Sequence, residues 1–157
     1  GQVKFSKEEG SRTAIVAKHY KFSSVKITYS ENAKLKLEKY PGFKADVLVA
    51  TVTNYFMKQG LIHSNSNYVL EFNVTDIYLR STAKAFLLPL SDPDKIDAMV
   101  MVKDASGKTV EAFKVDSSYA LGGTTSLVVW VRTRYLFKNL SQLVSDVFTG
   151  KKRETDF

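Results

Sequence analysis

The sequence predicts an α+β domain in which a mainly antiparallel sheet of about four strands carries two helices packed on one face. Apolar and polar residues alternate strictly over residues 68–75, as in a half-buried strand. A second alternating segment, 95–115, is interrupted by turn residues and reads as a hairpin. Apolar residues recur at helical spacing over 43–59 and again over 124–148.

The length of 157 residues and a hydrophobic content of 44% suit one domain with one core. Residues 1–12 are polar and weakly patterned, so we predict a leader or tether there. The folded domain is predicted over 13–150, followed by a basic C-terminal tail over 151–157.

In the N-terminal half, the stretch SSVKITYS predicts a short strand, and Pro41 ends the next apolar run. The helix predicted from Phe43 to Gln59 ends where Gly60 can form a left-handed cap. Its apolar stripe is Leu48, Val52, Tyr55 and Phe56.

In the C-terminal half, Asp104 and Gly107 supply the hairpin turn, since glycine tolerates the positive φ that such turns require. The last helix is predicted to place Ser141 and Ser145 on its polar face. Its first part, LVVWV, is β-branched enough to form a strand instead. The predicted buried stripe is Val129, Thr133, Leu136, Leu140, Leu143, Val144 and Val147.

Two adjacent glycines, Gly122 and Gly123, precede this helix and suggest a phosphate-binding loop. Such a loop needs a lysine directly after its glycines, and none follows here. We therefore interpret the pair as a structural turn, with Thr124 or Thr125 capping the helix.

No recognisable catalytic or metal-binding motif is present in the sequence. His19 and His63 are the only imidazoles, and neither has an acidic or histidine neighbour at ligand spacing. Asp92, Asp94 and Asp97 suggest calcium, but the glycine and glutamate of an EF-hand loop are missing. We predict no cofactor, no metal and no enzymatic activity.

The net charge of +7 allows a polyanion or nucleic acid as partner, although the lysines are scattered along the chain. The stretch WVRTRYLFK interleaves Arg132, Arg134 and Lys138 with aromatic residues. At helical spacing Arg134 and Lys138 form a polar face, and an ordinary solvated helix face explains them at least as well.

The sequence contains no cysteine, which excludes disulfides and thiolate zinc sites, and no apolar run long enough to cross a bilayer. Since the chain starts at Gly1 rather than methionine, we expect a processed or trimmed form.

The stretch AFLLPL is apolar where a connection between strands is ordinarily polar. Phe86, Leu87, Leu88 and Leu90 either fold over the sheet as part of the core or remain exposed as a patch that docks a partner. We take them as the candidate partner-binding residues.

The order of these elements over residues 25–148 resembles a family of bacterial envelope lipoprotein domains of unknown function. That family is similar to the auxiliary lipoproteins of ABC-type transport systems and, in fold, to the N-terminal domain of TolB. The matching residues are Val74–Asp76, Asp104 with Gly107 and Lys108, and Gly122–Gly123. The stretch STAKAFLLPLSDPD departs from the family, which often has small residues or glycines there, so no role is carried over to it.

The resemblance implies a non-enzymatic component of an envelope transport or secretion assembly that contacts envelope proteins or copies of itself. It also implies a periplasmic location at the outer membrane, through a lipid-bearing cysteine that this chain lacks. Two alternatives stay open: a polyanion or nucleic-acid binding module, and a hydrolase whose site single-sequence reasoning does not recognise.

Overall fold

The computed structural model describes residues 1–5, 8–87, 92–120 and 128–151, which form five strands and five helices. In chain order the elements are β1 (Gln2–Lys4), α1 (Glu8–Ala17), β2 (Ser24–Tyr29), α2 (Glu31–Lys39), α3 (Ala45–Lys58), β3 (Val69–Tyr78), α4 (Thr82–Leu87), β4 (Asp94–Lys103), β5 (Thr109–Tyr119) and α5 (Val129–Thr149).

The strands form a single mixed sheet in the order β1-β5-β4-β3-β2. β2 and β3 are parallel, because the intervening helices return the chain to the same end of the sheet, and the other three pairings are antiparallel. The predicted α+β class is therefore right. The prediction of about four mainly antiparallel strands with two helices is wrong in detail, since the described part adds a strand, a parallel pair and three helices.

The additional strand lies within residues 1–12, where the sequence predicts a leader. β1 pairs with β5 at the edge of the sheet, and Val3 packs against the core. The ring of Phe5, just beyond the strand, lies 5.4 Å from that of Phe113. A strand of three residues shows too little alternation to be recognised from the sequence, and the strand that it pairs with is more than 100 residues away.

We expect Phe5→Ala to lower the free energy of unfolding by about 2 kcal/mol, because a half-buried ring loses its contact with Phe113. Urea unfolding followed by circular dichroism measures the loss. The matched control is Lys4→Ala, which truncates an exposed side chain of the same strand. Equal stability of the two variants would support the predicted leader or tether.

α3 confirms the helix predicted over residues 43–59. Leu48, Val52 and Phe56 are fully buried on one face. Gly60 has a φ of +70° directly after the helix, and the Leu61 N–H donates to the Phe56 carbonyl at 3.0 Å. The chain thus reverses at the predicted left-handed cap and returns to the core.

β3 shows the predicted alternation, with Leu70, Phe72 and Val74 buried against the helices. An irregularity between Val74 and Asp76 then shifts the register, so that Ile77 returns to the buried face. As a result the Asp76 carboxylate lies on the opposite side of the sheet, which we call the outer face.

β4 and β5 form the predicted hairpin. The Asp104 carboxylate accepts hydrogen bonds from the backbone N–H groups of Ser106, at 2.9 Å, and Lys108, at 3.0 Å. Gly107 has a φ of +86°, which favours glycine. Gly122, Gly123, Thr124 and Thr125 lie outside the described residues.

α5 is helical from Val129, so the alternative of a strand over LVVWV is wrong for the part of that stretch that the structure describes. The polar face predicted for Ser141 and Ser145 is also wrong, because both residues are buried. α3 and α1 both pack against this helix in addition to the sheet. The Ser141 hydroxyl is satisfied within the helix by donating to the Phe137 carbonyl at 2.8 Å.

Candidate functional site

Val128, Trp130 and Tyr135 are exposed at the start of α5, and the half-buried Tyr119 of β5 contacts Tyr135. We refer to these four residues as the exposed aromatic surface. The Trp130 side chain is 60% exposed, although tryptophan is among the most hydrophobic residues. Tyr135 stacks on Tyr119 with 5.4 Å between the ring centroids and 13° between the planes. The Arg134 guanidinium lies 5.4 Å from the centroid of the Trp130 ring, as in a cation–π contact. The surface therefore combines aromatic area with the exposed Arg134 cation.

A buried ionic cluster of Arg80, Asp94 and Arg132 fixes the elements that meet at this surface. The Asp94 carboxylate lies 3.5 Å from the Arg80 guanidinium and 3.4 Å from Nε of Arg132, and it accepts the Arg80 backbone N–H at 2.9 Å. Arg132 also donates to the Arg80 carbonyl at 2.8 Å. The end of β3, the start of β4 and the first turns of α5 are thereby tied together.

Burial lowers the pKa of Arg132, the Asp94 carboxylate opposes that shift, and the Arg80 charge adds to it. Sequence reasoning treats Asp94 only as a candidate calcium ligand. The missed signal is its position in the alternation, since Asp94 falls on the same face as Ile96, Ala98 and the rest of the buried row of β4. A carboxylate on a buried face requires a cationic partner.

The predicted partner-binding segment begins in α4. The Ser81 hydroxyl accepts the Lys84 N–H at 3.2 Å and caps this short helix, which the sequence predicts as part of an irregular connection. The Arg80 carbonyl, which precedes α4, accepts a hydrogen bond from Arg132 of α5. The side chains of Phe86 and Leu87, and all of Leu88 and Leu90, lie outside the described part. Whether they form a core lid or a docking patch therefore stays a prediction.

Three aspartates form a row across the outer face of the sheet. Asp97 of β4 lies directly opposite Asp76 of β3 on one side and opposite Asp116 of β5 on the other. Lys95 pairs with Asp97 at 3.5 Å, and Lys36 of α2 pairs with Asp76 at 3.6 Å. From the sequence alone, Asp97 is only a candidate calcium ligand. The local sequence pattern does not reveal the cross-strand register that brings these three aspartates together.

The other sequence-derived candidates do not assemble into a site. His19 and His63 are both exposed. Across residues 1–5, 8–87, 92–120 and 128–151, no group of three or more histidine, aspartate or glutamate side chains is placed to hold a metal ion. Arg132 is buried, which corrects its interpretation as a cation available to a polyanion, whereas Arg134 and Lys138 are exposed.

Within the described part of the chain, no helix has both the length and the apolar character needed to cross a membrane.

Comparison with known proteins identifies similar folds among solved structures. No protein-family model matches the chain, and no curated protein matches it significantly. A minor lipoprotein from Acinetobacter baumannii is 15% identical with a TM-score of 0.52, over 83% of this chain and 93% of the lipoprotein. A PelC dodecamer from Paraburkholderia phytofirmans is 13% identical with a TM-score of 0.52, over 94% of this chain and 98% of PelC. The chain therefore shares its fold with a bacterial lipoprotein and with PelC.

Proposed function

We propose that this chain is a non-enzymatic lipoprotein-type domain of the bacterial envelope that works through protein–protein contacts, principally with copies of itself. The fold that it shares with the Acinetobacter lipoprotein supports the envelope assignment. We further propose an outer-membrane location facing the periplasm, a lipid anchor outside these 157 residues, and membership of a transport or secretion assembly. A relation to the auxiliary lipoproteins of ABC-type transport systems and to TolB belongs to the same proposal.

The observation that carries the proposal is the exposed aromatic surface at the start of α5. Trp130, which is 60% exposed, and Tyr135, which is 40% exposed, leave apolar area in water at the start of α5, and exposed apolar patches typically mark interaction sites. Tryptophan and tyrosine are also among the residues most enriched at the centres of protein interfaces. The occupant that we propose is a second copy, because PelC, which shares the fold over 94% of this chain, forms a dodecamer.

The segment Phe86–Leu90 extends the proposed contact. We include this segment because it begins in α4, which follows the Arg80 carbonyl that Arg132 of α5 contacts. Pro89 within it lowers the entropy that would be lost on binding.

The test measures the mass of the protein in solution by light scattering coupled to gel filtration. We expect the unmodified chain to form oligomers, Trp130→Ser to shift the population towards monomer at least about tenfold, and Leu88→Ser to weaken assembly in the same direction. Trp130→Ser should retain the melting temperature of the unmodified protein, because the Trp130 side chain is exposed. The matched control is Met57→Ser, which removes a similarly exposed apolar side chain (57%) near the C-terminal end of α3 and should leave assembly intact.

A strictly monomeric unmodified protein, or equal loss of assembly in Trp130→Ser and Met57→Ser, would overturn the proposed contact surface. A large fall in melting temperature in Leu88→Ser with intact assembly would assign this segment to the core instead.

A polyanion-binding function is the second candidate, and the exposed cations of α5 favour it. Arg134 and Lys138 lie four residues apart on the helix face that carries Trp130, and the chain has a net charge of +7. Retention on an anionic polymer that falls steeply with salt, and that is reduced in Arg134→Gln, would support this function over self-association.

A further inference from the structure

The aspartate row places three carboxylates in direct register across neighbouring strands. Adjacent strands in a sheet are about 4.8 Å apart, so carboxylates in direct cross-strand register are close neighbours. Oδ1 of Asp97 is buried, and no hydrogen-bond donor within the described ranges reaches it. The group that faces it across the strands is the carboxyl of Asp116.

An ionised carboxylate only accepts hydrogen bonds, so two ionised aspartates cannot satisfy each other. A single proton between Asp97 and Asp116 changes this, because one carboxyl then donates to the other. A proton shared between Asp97 and Asp116 would therefore give Oδ1 of Asp97 the hydrogen bond that it otherwise lacks, and would stabilise the fold.

The charged groups that surround the pair come from every strand that borders it and from α2. Lys95 of β4 approaches Asp97 and favours its ionised form. The lysines and aspartates that face the row from the other elements and the adjoining loop are Lys4, Lys36, Asp76, Asp92 and Lys114. Burial and the Asp116 carboxyl outweigh Lys95 and raise the pKa of Asp97 to about 6.

We propose that the aspartate row is a pH-sensitive element of the fold, in which Asp97 and Asp116 share one proton in mildly acidic solution and lose it as the pH approaches neutrality. Release leaves two negative charges opposite each other and weakens the pairing of β4 with β5. The pKa of Asp97 is raised in the folded state. The stability that the bound proton contributes is therefore present in acid and is lost as the pH rises through about 6. This inference does not depend on the proposed self-association.

The first measurement is the titration of the carboxyl carbons of Asp97 and Asp116 by carbon-13 NMR in the unmodified protein. We expect the Asp97 carboxyl carbon to show a step near pH 6, and this step should move to lower pH in Asp116→Asn. If the Asp97 carboxyl titrates near pH 4, about the ordinary value for aspartate, the proposal fails.

The second measurement compares melting temperatures between about pH 5 and about pH 8, on either side of the expected step. Asparagine is a neutral isostere of aspartate, so Asp97→Asn should match the unmodified protein at the lower pH and melt several degrees higher at the upper one. Asp116→Asn should behave in the same way, whereas Asp46→Asn, an exposed control in the first turn of α3, should run parallel to the unmodified protein. A difference between Asp97→Asn and the unmodified protein that does not change with pH would overturn the proposal.

Discussion

Asp94→Asn should lower the free energy of unfolding by about 3–5 kcal/mol, or roughly 10 °C in melting temperature for a domain of this size. The substitution preserves volume and removes one charge. Both guanidinium groups that contact the Asp94 carboxylate are buried, and without it they lose the anion that offsets their desolvation. Truncating one partner of a buried ionic contact is costly for this reason, even where the complete cluster contributes little net stability.

Two further variants separate charge from other effects of the substitution. Asp92→Asn removes an exposed carboxylate two residues away and should leave unfolding in urea unchanged within about 0.5 kcal/mol. Arg132→Met should cost less than Asp94→Asn, because Arg80 and Asp94 still face each other as an ion pair. If Asp94→Asn proved as stable as Asp92→Asn, the cluster would not hold β3, β4 and α5 together.

The parts of the fold that could be predicted from the sequence are those in which local periodicity and burial coincide. α3 and the β4–β5 hairpin are predicted correctly because one face of each packs on the core while turn residues such as Gly60 and Gly107 mark their ends. These features depend on neighbours only a few residues away in the sequence.

The parts that could not be predicted depend on distant residues. β1 is a strand because β5 lies beside it, and Ser141 and Ser145 are buried because elements from elsewhere in the chain cover the far side of α5. The aspartate row requires the register of three strands. Trp130 and Tyr135 lie in a segment whose arginines suggest polyanion binding from the sequence alone. Only the structure shows that Arg132 is buried in the ionic cluster whereas Arg134 is exposed.

Phe22 is a core residue whose burial the sequence pattern does not predict. It precedes β2 in a segment without clear periodicity, yet its side chain is fully buried. Its ring contacts those of Phe148 at 4.9 Å and Phe56 at 6.4 Å, which join the end of α5 to α3. Its backbone forms an isolated parallel bridge with Ile62, which holds the ring in place.

We expect Phe22→Ala to lower the free energy of unfolding by about 3–5 kcal/mol, because it leaves a cavity between these elements and removes three aromatic contacts. Phe22→Leu retains most of the apolar volume and should cost less than half as much. Urea unfolding monitored by circular dichroism at constant pH measures both, and the slope with denaturant should stay the same if only stability changes. Similar small losses in the two variants would mean that the surrounding rings close the gap. In that case Phe148 and Phe56, rather than Phe22, would hold α3 against α5.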